Sequence, residues 1–424
     1  MPSSSSSRRA ERNVRLDPMG IYGTRSERRR QQLQRRRQVQ NVVLWLLGIA
    51  ALSFGAWWIF QPHPTLLRAG WSATLPFRPA AAPVATADGQ LLIASQSGGL
   101  WSLSQANPGA KPKRLFATAF PPGAAPLALS KTVFWPGGDG VLRALDLNGR
   151  PKWARALSSV LVTKPGLART KNRSVVAVGD DEGNLAAYDA VTGAPLWKRM
   201  LGGGLCEAVV ASQEAAPVFI VPTLAGTTSG GGLVCLDAAT GNPRWRFPNS
   251  ASDRSPGLAA PALADGRVYW CTDEGTVVAL DAKTGRKIWK AFAKTAVTAK
   301  SANRESQNFL MLRGAPVVVP EKKIVAVGGN DGLLRGLDID TGALRWTLEM
   351  GGPVLFAPQK VSFEGQETLL VSGDAPGIFL VDVSTGSVVR HWATSYGTEF
   401  GVSVAGDTAL ALDAEGHLQG ATLR

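Results

Sequence analysis

The phrase CTDEGTVVALDAKTGRKIW, residues 271–289, recurs in degenerate form along most of the chain. It contains a short strand, an Asp-Glu-Gly turn, an alternating strand TVVALD, an Asp-x-x-Thr-Gly turn and a strand ending on tryptophan. Alternation with turn glycines is a β signal, and no helical period fits. Aligning the first turn glycine with the aspartate six residues later gives Gly140/Asp146, Gly183/Asp189, Gly231/Asp237, Gly275/Asp281 and Gly332/Asp338. Gly377/Asp382 fits one residue short, and Gly98/Ser104 and Gly416/Thr422 are degenerate copies at the ends, which makes eight. In five copies a tryptophan follows the aspartate by seven or eight residues: Trp153, Trp197, Trp245, Trp289 and Trp346.

A period of about forty to fifty residues with several short strands per unit predicts a β-propeller. The first glycine supplies positive φ in a tight hairpin. Asp-x-x-Thr-Gly is a self-bonding turn in which short polar side chains cap backbone amides. The tryptophan is expected to close each sheet against its neighbour. Small residues stand two before the aspartate (Ala144, Ala187, Cys235, Ala279, Gly336), and the expectation is that they ease crowding at the axis. The last copy ends without a tryptophan strand, while Gly70-Trp71-Ser72 resembles one. The N-terminal strand should therefore complete the eighth blade and remove the free sheet edges. The propeller is assigned to 68–424, after a linker at 61–67.

The formal charge of +14 is concentrated in a tail: residues 1–40 hold eleven arginines, no lysine and three acids. Its plain reading is a topogenic segment that keeps the N-terminus in the cytoplasm, with contact to anionic lipid as the alternative; no nucleic acid is expected. Val42 to Phe60 is nineteen residues without a charge, flanked by indoles and followed by Pro62 and Pro64. That length crosses ~28 Å of hydrocarbon as a helix. Residues 41–60 are thus expected to be a single transmembrane signal anchor in the inner membrane, with the propeller outside the cytoplasm. Three cysteines without a Cys-x-x-Cys spacing argue against a zinc site or a disulfide framework, and Cys271 aligns with small buried positions.

The Asp-x-x-Thr-Gly-x-x-x-Trp copies at 189–197, 237–245, 281–289 and 338–346 resemble the pyrrolo-quinoline-quinone-like repeat family of eight-bladed propellers. The resemblance covers roughly 66–424. In length it is most similar to the propeller subunits of the outer-membrane β-barrel assembly machine, although no lipobox cysteine is present. It implies a non-enzymatic interaction scaffold in the cell envelope. The alternative is a quinone-dependent dehydrogenase or another extracytoplasmic enzyme. A quinone site would need calcium ligands, a catalytic aspartate and usually vicinal cysteines. The cysteine pair is absent and the aspartates serve repeated turns, so no catalytic, cofactor or metal residue is assigned. Asp180-Asp181-Glu182 and Asn330-Asp331 are read as hairpin turns.

Specificity should sit where the repeat is interrupted. Aspartate spacing is 40–48 residues except from Asp281 to Asp338, which is 57, and the excess falls in 293–316. Arg304, Phe309, Leu310 and Arg313 are the candidate partner contacts there, since arginines and aromatics dominate interface hot spots. For 309–312 the competing reading is an inner strand of the next blade. A second glycine-rich loop is expected at 223–232, and Gly202–Gly204 and Gly230–Gly232 are read as inter-blade turns.

Overall fold

Seven repeats pair their four strands antiparallel in sequence order, the eighth takes its outer strand from the N-terminal end, and eight sheets result. Blade 1 spans 84–117, blade 2 127–156, blade 3 166–200, blade 4 210–247, blade 5 262–292, blade 6 317–349 and blade 7 359–392. Blade 8 combines 402–422 with the N-terminal strand Ala69–Thr74. The computed structural model describes residues 65–66, 69–129, 131–212, 214–225, 230–248, 257–293, 310–373 and 377–423. The expected span at 41–60 lies outside these residues, and no described helix is long and apolar enough to cross a membrane.

First strands of neighbouring blades touch around the axis, as between blades 5 and 6, 6 and 7, and 8 and 1. The core lies between the blades. Tyr269, Val277 and Trp289 of blade 5, for example, pack with Val325, Val327 and Leu337 of blade 6. The ring closes as expected. Ala69–Thr74 pairs antiparallel with His417–Thr422, and Trp71 stands opposite Gly420.

The tryptophan motif joins each blade to the next. Indole Nε1 of Trp153, Trp197, Trp245, Trp289 and Trp346 donates to the carbonyls of Ala190, Ala238, Ala282, Ile339 and Val383. Each acceptor immediately follows the turn aspartate of the next blade. The ring lies over that blade's turn glycine: a Cβ at Gly285 would come within 2.6 Å of Trp245. Gly285 also has φ +67, so the turn and the indole both demand glycine there. Burying ~200 Å² of indole is worth about 4–5 kcal/mol.

The small residues before the aspartate have a different reason from the one expected. They sit across the sheet from the indole, not at the axis: Ala187 faces Trp197, Cys235 faces Trp245, Ala279 faces Trp289 and Gly336 faces Trp346. At Gly336 a Cβ would meet Trp346 Cε2 at 2.1 Å, so the ring takes the space of the missing side chain.

Two assignments change. The segment 223–232 is largely strand: Val218–Ala225 and Gly230–Asp237 pair as far as Ala225 with Gly230, which makes Gly230–Gly232 part of a hairpin within blade 4. Within the linker, Thr65–Leu66 adds a parallel fifth strand to the outer edge of blade 7, opposite Arg390 and His391. The unpaired backbone of an outer strand offers hydrogen bonds to any extended chain that reaches it.

Candidate functional site

In each blade the 1–2 and 3–4 turns emerge on one face of the disc, and the 2–3 hairpins and 4–1 connections on the other. The Asp-x-x-Thr-Gly turns belong to the first face and are closed on themselves. Asp281 Oδ1 accepts from the N–H groups of Lys283 and Thr284 and from the Thr284 hydroxyl. The Thr284 hydroxyl and these amides hold the Asp281 carboxyl below its ordinary value. Asp189, Asp237, Asp338 and Asp382 repeat the arrangement, and Asp146 caps Asn148 and Arg150. These carboxylates are committed to the fold.

The described ends of the interruption at 293–316, residues 293 and 310–316, lie on the second face. Arg304 and Phe309 lie outside the described residues. Leu310 is buried against the Gly275 turn and joins the core between blades 5 and 6, with Leu312 fully buried beside it. These two positions are core residues, as the competing reading had it, but they lie in the connection ahead of the blade 6 strand Val317–Val319 and are not strand themselves. Arg313 is exposed, with its guanidinium 3.5 Å from Met311 Sδ and its charge acting on Asp273. So of the four candidates, the structure leaves Arg313 as the described side chain available to a partner.

The mouth of the central channel holds residues that the repeat pattern alone did not bring forward. Most first strands are introduced by Ala-Pro: Ala82-Pro83, Ala125-Pro126, Ala260-Pro261, Ala315-Pro316 and Ala357-Pro358. Blade 3 has Lys164-Pro165 instead, and that departure was the available signal. Lys164 N donates to Glu207 O at 2.7 Å, and Val209 N to Lys164 O at 3.0 Å, which stitches blades 3 and 4 together at the mouth. Both side chains reach solvent yet have protein on most sides. Burial lowers the Lys164 pKa and raises that of Glu207. Asp273 is also raised by burial, and its Oδ1 has no hydrogen-bond partner.

Nucleophilic chemistry finds little here. The Cys206 thiol points at the carbonyls of Pro222 and Leu258, and burial pushes its pKa up to about 12. Cys235 is likewise pushed up to about 12, and Cys271 is fully buried. All three are free and remote from thiolate chemistry at neutral pH. Four carboxylates on this face are tied up as well: Asp180 with Asn184, Asp331 with Arg335, Asp139 with Arg143 and Asp413 with His417. Among the described residues no His, Cys, Asp or Glu cluster of metal-ligating size occurs. The donor set described does not fit the calcium-and-quinone centre that the repeat name suggests.

Among the described residues, seven of the eleven exposed large apolar side chains lie on this second face: Phe120, Val160, Met200, Leu224, Phe292, Leu355 and Tyr396. What the face offers is contact area and fixed charge.

Known proteins divide along the same line. Alcohol dehydrogenase (quinone), dehydrogenase subunit, from Gluconobacter oxydans is 30% identical over 145 residues, which are 32% of this chain and 19% of that protein. The chain therefore matches about a fifth of that relative's length. Outer membrane protein assembly factor BamB from Bordetella pertussis is 27% identical over 263 residues, covering 54% of this chain and 65% of that protein. The structure of quinohemoprotein alcohol dehydrogenase from Comamonas testosteroni superposes with a TM-score of 0.60 at 14% identity, over 84% of this chain and 76% of that one, a likeness of fold. A family model described as outer membrane protein assembly factor BamB matches residues 68–199, 138–221 and 214–423, so the chain belongs to that PQQ-like repeat propeller family.

Proposed function

We propose that this protein is a non-enzymatic interaction scaffold of the bacterial envelope, held at the inner membrane by residues 41–60 and serving the assembly of envelope or outer-membrane proteins. The observation that carries the reading is the use of its side chains. Turn aspartates and tryptophans are bonded within or between blades, while exposed apolar groups gather on the face of the 2–3 and 4–1 connections. Such a surface binds by area and complementarity. The family match and the longer overlap with assembly factors support the same direction. In this arrangement the arginine-rich tail stays in the cytoplasm and the propeller projects outside.

A quinone-dependent dehydrogenase is the competing reading, favoured by the 30% identity over 145 residues. One experiment separates them. The full chain is isolated from its membrane in mild detergent, loaded with quinone and Ca²⁺, and assayed for dye-linked turnover on alcohols; in parallel, crosslinking mass spectrometry is run on the intact membrane. The scaffold reading expects background turnover and reproducible crosslinks to envelope proteins. Stoichiometric quinone binding with turnover would overturn it.

A further inference from the structure

Blades 2, 3 and 4 present three exposed apolar side chains, Phe120, Val160 and Leu224, on the face of the 2–3 and 4–1 connections. They are linked through the backbone. Gly138 packs under Phe120 and Pro121, and Gly123 lies against Val160 and Leu161. Val160 O accepts from Asp181 N at 3.1 Å, Gly204 sits against both Asp181 O and Leu224, and Leu224 N donates to Gly204 O at 2.7 Å. The three residues thus form a continuous strip. Asp181 and Glu182 are exposed between Val160 and Leu224, and Glu207 is exposed on the channel side.

None of these three carboxylates is ion-paired among the described residues, unlike Asp139 with Arg143 on the neighbouring blade. Neither Lys164 nor Lys198 forms an ion pair with them among the described residues, and the Lys198 ammonium is hydrogen-bonded to Ser158. Burial raises the Glu207 pKa. This is an acidic, apolar strip on a chain whose formal net charge is +14.

We infer that Phe120, Val160, Leu224, Asp181, Glu182 and Glu207 form a docking strip for a partner segment that is apolar on one side and positively charged on the other. Apolar contacts supply the area, and the unpaired carboxylates select a basic segment and reject an acidic one. The inference rests on the scaffold reading and names the chemistry of its partner.

The test uses the full chain in zwitterionic nanodiscs, with empty nanodiscs subtracted, and three labelled peptides of equal length. One has leucines along one helical face and lysines on the other; the second replaces lysine by glutamate; the third replaces leucine by serine. Fluorescence anisotropy is expected to show binding of the Leu/Lys peptide that weakens with salt, and at least tenfold weaker binding of the other two. Asp181→Lys with Glu182→Lys, and separately Leu224→Ser, should each weaken the Leu/Lys peptide about tenfold. These positions are exposed, so melting should be unchanged; Val160→Ser is the further check if either variant melts lower. Equal binding of the Leu/Lys and Leu/Glu peptides, or unchanged affinity in the Asp181→Lys/Glu182→Lys variant, overturns the inference. A partner crosslinked only through other blades would sink the strip and leave the scaffold reading standing. Turnover with bound quinone would sink the scaffold reading itself.

Discussion

Removing one inter-blade indole measures how much of the ring's stability the tryptophan motif carries. Trp289 is 9% exposed, donates to Ile339 O at 3.0 Å, lies over Gly342 and packs near Tyr269 with ring centroids 6.0 Å apart. Trp289→Ala removes most of ~200 Å² of buried area and leaves a cavity, for which truncations of this kind cost about 3–5 kcal/mol. The pocket opens at the rim, so water can refill it, and about 3 kcal/mol is expected. Trp289→Phe keeps most of the area and loses the indole N–H. Ile339 O still accepts from Arg267 Nη1 at 2.9 Å, so the carbonyl keeps a donor and the cost should be about 1 kcal/mol. Urea unfolding followed by far-UV circular dichroism gives both values as shifts of the midpoint at unchanged slope. A cost below about 1 kcal/mol for Trp289→Ala, or equal costs for the two variants, would refute the assignment of the motif as the inter-blade joint.

Four further outcomes are expected. A chain beginning at Pro76 should melt well below one beginning at Thr65, because blade 8 loses its Ala69–Thr74 strand; equal melting would contradict the closure. Asp338 is held below its ordinary value of 3.8, first by the Arg345 guanidinium and then by the Thr341 hydroxyl and amides. Its folded pKa lies below its unfolded one, so its stabilisation is full above the unfolded value and fades as pH falls toward the folded one. The stability gap between wild type and Asp338→Asn should therefore close as pH drops from about 5 to about 2, and a constant gap would count against the ion pair. Arg313→Ala should leave melting unchanged and weaken crosslinking to partners; unaltered crosslinking would remove Arg313 from the interface. Reporter fusions should place the C-terminus outside the cytoplasm, and a cytoplasmic C-terminus would refute the signal-anchor topology.

The repeat made the architecture legible because turn chemistry is local. Asp281, Thr284 and Gly285 satisfy one another within five residues, so their spacing in the chain is their spacing in space. Closure was legible for the same reason, since Trp71 lacked a blade and blade 8 lacked a tryptophan. Relations between strands were harder to read. Gly336 looked like a residue at a crowded axis, and only the register shows that it faces Trp346 across the sheet. Gly230–Gly232 looked like a loop because glycine disfavours strands, yet pairing with 223–225 holds it in one. Leu310 fell in the longest interruption and still belongs to the core, because the connection leading into blade 6 begins to pack before its first strand, Val317–Val319, starts. Phe120, Val160 and Leu224 are far apart in sequence and share no motif; only the ring brings them onto one strip.

This propeller is read as working by holding a protein on one face. A photoreactive amino acid placed in living cells at Phe120, Val160, Leu224 and Leu355, and at Val191, Ile288 and Leu344 on the opposite face, tests it directly. Strong, specific crosslinks to envelope protein are expected from the first set and background from the second. Crosslinks confined to the second set, or none from either while quinone and turnover are found with the purified chain, would contradict it.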